Sequence, residues 1–242
     1  MRNTETLFLV GPGQSVQDFN PSDLQGRPTL TFSGTMDWFF EHNIYPTYWC
    51  FIDPFTVETL LKNIESNPKK AEWAKGLKDN TTLLYNHFQG TNEFYQRGLT
   101  TSQGQVWNIQ AFGQIYFPQL KSMLKESISL QTEVVNEDYS LLLTREKYPL
   151  IKHPEYGKNT DKFTSYVLPL ALYYFANLKE IISVGFGDYD KPRAYTTNAE
   201  GYEGFQLSYQ KLGPMVKNTL DNLNILIRFI NRNSYYLNLE NV

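Results

Sequence analysis

Hydrophobic and polar positions along this chain come in blocks whose spacing switches between strand and helix. Leu7-Phe8-Leu9-Val10 is an unbroken apolar run closed by Gly11, the pattern of a strand covered on both faces, as in a parallel sheet. After a short connection over 16–27, Leu30-Thr31-Phe32 gives a second short strand. The spacing then turns helical from Thr35 to His42, before Asn43 and Pro46 stop it. An aromatic-rich third strand runs from Tyr48 to Ile52 and ends at Asp53-Pro54, and Phe55 to Ile64 carries apolar residues at helical spacing. Pro68 to Lys78 predicts a lysine-rich, solvated helix, and Thr82-Leu83-Leu84-Tyr85 a fourth strand. Strand and helix alternate as in βαβ units. That predicts an α/β protein, a Rossmann-like three-layer α/β/α fold with a mostly parallel sheet.

From 88 to 160 the periodicity gives way to a mixture of Gly, Gln, Asn and aromatic residues, with one helix predicted at Gln114 to Ser127. Regularity returns at Thr164-Ser165, which would cap an apolar helix reaching Asn177, with Pro169 near the first turn, where proline is best tolerated. Ile181-Ile182-Ser183-Val184 follows as a strand ended by Gly185. Residues 186–212 are rich in Gly, Tyr and Asp without periodicity, which predicts a long loop forming a lid-like insertion. Lys211 to Asn231 predicts an amphipathic helix on Leu220, Leu223, Leu226, Ile227 and Ile230, and Tyr235 to Leu239 a closing strand.

Length and composition narrow the class. With 242 residues the chain suits a single domain, 1–242, large enough to bury a proper core. Its net charge of −3 speaks against a nucleic-acid partner or an anionic membrane surface. The single cysteine, Cys50, lies in an apolar run and reads as a buried thiol. Without a disulfide framework or a signal-like apolar segment at the start, a cytoplasmic setting is expected. Phe163 to Leu178 is apolar but holds Pro169 and falls short of the roughly 20 residues that span a bilayer, so no membrane span is expected.

The candidate chemistry gathers at strand ends. Gly11-Pro12-Gly13-Gln14-Ser15 follows the first strand, and its glycines would let the backbone approach an anionic ligand with the N–H groups pointing outward. A tight structural turn is the alternative. A dinucleotide fingerprint would need glycine where Val16 stands and an acidic residue after the second strand, and no P-loop lysine follows the turn. Asp53 ends a strand, where open sheets bind ligands, or caps the next helix. Thr164 and Ser165 either cap their helix or present hydroxyls to an anion. Tyr189, Arg193, Tyr195, Tyr202, Glu203 and Tyr209 offer phenol, guanidinium and carboxylate groups suited to a phosphate, or cover the core. No His, Cys and Asp grouping has metal spacing, and no metal site is expected.

Leu9 to Ser15, the strand ending at Asp53-Pro54, Lys162-Phe163-Thr164-Ser165, and Ile181 to Gly185 with Asp188 together resemble one group of proteins. These are the bacterial sialyltransferases of the Campylobacter type, with their MptE-like diphosphokinase and motility accessory factor relatives. The resemblance covers the two ends of the chain and not its middle. It implies a nucleotide-sugar donor as substrate, a glycan acceptor as partner, and no required cofactor. Gly11, Gly13 and Ser15 would face the nucleotide, Ser33 and Asp53 its base or ribose, and Thr164-Ser165 the sugar. Lid tyrosines such as Tyr195 and Tyr202 would hold the phosphate. Asparagines of the family appear here as Ser33 and Asp53, its Thr-Ser-Gly as Thr164-Ser165-Tyr166, and its histidine before the last long helix as Gly213-Pro214-Met215. Glu203 or His153 would then take the base's role. A diphosphokinase using ATP and Mg²⁺, supported by the strand-end acidic residues Asp53 and Asp188, and a non-catalytic nucleotide- or glycan-binding protein are the alternatives. A homo-oligomer is compatible with all three.

Overall fold

The strands are β1 Thr6–Val10, β2 Thr29–Phe32, β3 Tyr48–Cys50, β4 Thr82–Asn86, β5 Glu126–Leu130, β6 Glu180–Val184 and β7 Leu226–Phe229. They form one all-parallel sheet in the order β5-β4-β3-β2-β1-β6-β7. The α/β expectation with a Rossmann-like parallel sheet therefore holds. This computed structural model describes residues 4–51, 54–86, 112–130, 163–187, 202–231, 234 and 236–240. The chain divides into two compact units, residues 1–30 with 132–242 and residues 31–131, the division falling inside β2.

In the unit 31–131 the aromatic density of the sequence becomes core: Trp38, Phe39, Trp49 and Phe51 are fully buried. Its helices are α1 Met36–Glu41, α2 Pro54–Ser66, α3 Pro68–Lys75, α4 Leu77–Asn80 and α5 Phe117–Met123. The solvated helix expected from Pro68 to Lys78 is thus two helices. The first is started by Asn67, whose side-chain oxygen accepts from the Lys69 and Lys70 N–H groups at 3.0 and 3.2 Å. It is pinned by Trp73, which donates from Nε1 to the Ile44 carbonyl at 3.2 Å and stacks on Tyr45 at 5.4 Å. Lys70 is buried rather than solvated, and it pairs with Asp37 and lies over the Phe40 ring. Burial pushes the Cys50 thiol well above its ordinary pKa, so it stays protonated and inert.

In the other unit β1 pairs with β6 and β6 with β7. Leu9, Ser183 and Phe229 lie abreast, one residue short of the ends of β1 and β6 and at the end of β7. The helical run here is a π-turn Phe163–Val167 continuing into α6 Leu168–Tyr174, and the last helix is α7 Tyr202–Leu223.

Four further expectations are corrected. Gln114 to Ser127 is helical only through Met123, and Glu126–Leu130 is a strand, because Leu124 turns the backbone extended at ψ 156°. The helix expected over Lys211 to Asn231 ends at Leu223. Asn224 takes a left-handed φ of 52°, and the apolar residues after it form β7. The strand expected at Tyr235 to Leu239 is a 3₁₀ turn over Leu237–Leu239. The early start of α7 also makes 202–212 helical, so the loop expected over 186–212 goes no further than 201.

Candidate functional site

In this strand order each step from β1 to β5 moves one way across the sheet, and β6 and β7 lie on the other side of β1. The direction reverses between β1 and β6. That is the place where open parallel sheets leave a crevice for a ligand, at the carboxyl ends of the strands. Both strands end there in a Gly-x-Gly turn, Gly11-Pro12-Gly13 after β1 and Gly185-Phe186-Gly187 after β6.

The two turns are bonded to each other. Gly11 N–H donates to the Val184 carbonyl and Gly13 N–H to the Gly185 carbonyl, both at 2.7 Å, so strand pairing continues past the end of the strands. A Cβ on Gly11 would lie 2.6 Å from the Gly185 oxygen and 2.9 Å from the Phe186 ring, and one on Gly185 would lie 2.3 Å from the Gly11 oxygen. Gly185 also has a φ of 71°, a conformation that only glycine adopts freely. The expectation of outward-pointing amides at Gly11 and Gly13 is therefore corrected: the glycines permit the contact between turns, and their amides are spent on it. Pro12 has no N–H to offer. Further on, in the 3₁₀ turn Gln14–Asp18, Gln17 and Asp18 are exposed, while the Ser15 hydroxyl is buried and Val16 is anchored in the core.

Phe186 carries the contact onward. Its ring packs on Phe163 at 4.4 Å, and Phe163 packs on Tyr236 at 4.7 Å and Phe229 at 5.8 Å. Phe163, which opens the π-turn of Thr164 and Ser165, thus packs on the ring that covers Gly11. Thr164 is completely buried as the second residue of that turn, so it does not cap the helix. Tyr166 is buried too, facing the core.

The remaining expected residues fall differently. Ser33 directly follows β2, opening a 3₁₀ turn in the unit 31–131. Tyr202 and Glu203 are the first residues of α7. Asp53, His153, Asp188 and Tyr195 lie outside the described residues. Gly213-Pro214-Met215 stands in the middle of α7 rather than before it. The stretch ahead of the last helix is therefore 188–201, and it contains no histidine. Among the described residues no three His, Cys, Asp or Glu side chains are grouped to hold a metal ion, and no helix is long and apolar enough to cross a membrane.

Sequence reasoning missed Gly185 and Phe186 as partners of the first turn. The signal was present, since the same Gly-x-Gly spacing follows two apolar strands. No protein-family model matches the chain, and no curated protein matches it either.

Proposed function

We propose that the protein is a sialyltransferase-like glycosyltransferase, moving a sugar from a nucleotide-sugar donor to a glycan acceptor in the cytoplasm. The observation that carries the reading is the pair of Gly-x-Gly turns at the reversal point of the sheet, with the Thr164 turn packed beside them through Phe163 and Phe186. In this reading the Gly11 and Gly13 turn shapes the wall of the nucleotide pocket, and Ser15 supplies a polar contact. Thr164-Ser165 take the sugar side. Tyr195 and Tyr202 donate phenol hydrogen bonds to the departing phosphate, with Asp188 at the rim. Glu203, or His153, removes the proton from the acceptor hydroxyl as its oxygen bonds to the anomeric carbon and the nucleotide leaves with the glycosidic electron pair. The reaction needs no cofactor beyond the donor.

The test is hydrolysis or transfer of CMP-, UDP- and GDP-sugars by the purified chain, with and without Mg²⁺. Turnover of at least one donor is expected, falling about 10²–10⁴-fold in Glu203→Gln if Glu203 is the base. Inertness towards the whole panel would sink the reading, and Mg²⁺-dependent pyrophosphoryl transfer from ATP would replace it with a diphosphokinase.

A further inference from the structure

Helix α7 contains a proline in its interior, Pro214, preceded by Gly213. Proline has no N–H to give the carbonyl four residues back, that of Gln210, and its ring crowds that carbonyl. One turn later the buried Thr219 hydroxyl donates to the Met215 carbonyl at 2.9 Å, a bond of the kind that bends helices. After Pro214 the helix continues with Met215, Val216, Thr219 and Leu220 all buried, while Pro214 itself is exposed.

In the half before Pro214, Leu212 and Tyr209 are also buried. The Tyr209 ring lies against Gly213, where a Cβ would come within 2.9 Å of it, and meets Tyr236 edge-on at 5.2 Å. From Tyr236 the aromatic contacts continue to Phe163 at 4.7 Å and from there to Phe186 at 4.4 Å. Phe186 in turn closes over Gly11. A continuous column of rings therefore joins the helix break to the bonded turns after β1 and β6. Gly187 fits the same column, since a Cβ there would strike Ser234 and Tyr236 at 2.2 and 2.8 Å.

We propose that α7 is a hinged helix. Residues 202–212 turn about Gly213–Pro214, and the column Tyr209–Tyr236–Phe163–Phe186 ties their position to the turns after β1 and β6. Two discrete seats for Tyr209, on the column or off it, supply the two states that such coupling needs. The candidate residues Tyr202 and Glu203 ride on the hinged half.

Amide hydrogen exchange of the full chain, read by mass spectrometry without ligand, tests this. Pro214→Ala restores the missing N–H and is expected to slow exchange over 202–212 by about tenfold or more, leaving 215–223 unchanged. Tyr209→Leu keeps an apolar side chain but removes the ring edge, and is expected to speed exchange over 202–212 several-fold while β6 and 215–223 stay as they were. Phe163→Leu, two links away, should act in the same direction. Should Phe163→Leu also expose β6, it has unfolded the unit, and Tyr209→Leu alone decides. Pro214→Ala leaving 202–212 unaltered, or slowing both halves alike, overturns the hinge. Tyr209→Leu without effect on 202–212 overturns the tether. No donor enters the experiment, so the outcome is independent of the nucleotide-sugar reading.

Discussion

The contact between Gly11 and Gly185 is backbone against backbone, and neither side can yield by rotating a side chain. Gly185→Ala meets both a Cβ clash at 2.3 Å and a φ of 71°, so a loss of about 3 kcal/mol is expected, the sum of overpacking and left-handed strain. Gly26 isolates the second cost: its φ is 70°, but nothing lies within 4 Å of the added Cβ, and Gly26→Ala should lose only about 1 kcal/mol. Urea unfolding of the two variants checks the difference, and equal losses would mean that the turns are not in hard contact. Two residues before Gly185, Ser183 is 1% exposed, and its hydroxyl meets no hydrogen-bond partner among the described residues. Its neighbours in the row are Leu9 and Phe229. An unpaired hydroxyl in such a place costs free energy, and removing it relieves the cost. Ser183→Ala is expected to raise stability by about 1 kcal/mol in the same measurement, and a loss of that size would reveal a bond the hydroxyl does make.

At the scale of elements, α1 and α3 are joined by the pair of Asp37 and Lys70, and the two members are not equivalent. The Lys70 side chain is 7% exposed and that of Asp37 30%. Removing the carboxylate strands a charge in the core, whereas removing the ammonium leaves a carboxylate that water can still reach. Asp37→Asn should therefore cost about 2 kcal/mol and Lys70→Met, which keeps the stem's packing against Phe40, about 1 kcal/mol or less. The reverse order in chemical unfolding would contradict this burial argument. The same elements show what periodicity conveys. β1, β2, β3, β4 and β6 were legible because each is a short apolar run closed by a turn signal, and their burial on two faces leaves no other reading. β7 was not, because Leu226 and Ile227 continue the helical spacing of Leu220 and Leu223. The break is made by Asn224 going left-handed, a cap that asparagine permits without announcing. β5 escaped although Ser127-Ile128-Ser129-Leu130 alternates polar and apolar, because the helix expected from Gln114 reaches Ser127. In the candidate site, the glycine turn after β1 was legible, and Phe163 beside Thr164 packs on the Phe186 ring that covers Gly11. The use of the glycine amides was not, because it depends on the register of β1 against β6, which lies far away in sequence.

That separation matters for the molecule as a whole. In the unit 31–131 the strand β3 pairs with β4, and β4 with β5, so each joins its successor through one intervening stretch of chain. In the other unit β1 must find β6, and contacts such as Thr6 with Glu180 close a separation of 174 residues. Closing a long loop costs entropy before its contacts repay it, and pairing of distant segments is correspondingly slow. The unit 31–131 is therefore expected to gain protection first. In refolding followed by pulsed hydrogen exchange, the amides of β3 and β4 should be protected in an earlier phase than those of β1 and β6. The turns after β1 and β6 acquire their bonds only with the second phase, since Gly11 and Gly13 donate to carbonyls that β6 brings. The candidate site would then be among the last features to form, and Gly185→Ala should slow that phase while leaving the first untouched if the contact between the turns is already made in its transition state. Simultaneous protection of β1, β3, β4 and β6 would show instead that the sheet forms as one cooperative event, with the long connection already closed when the local pairs appear.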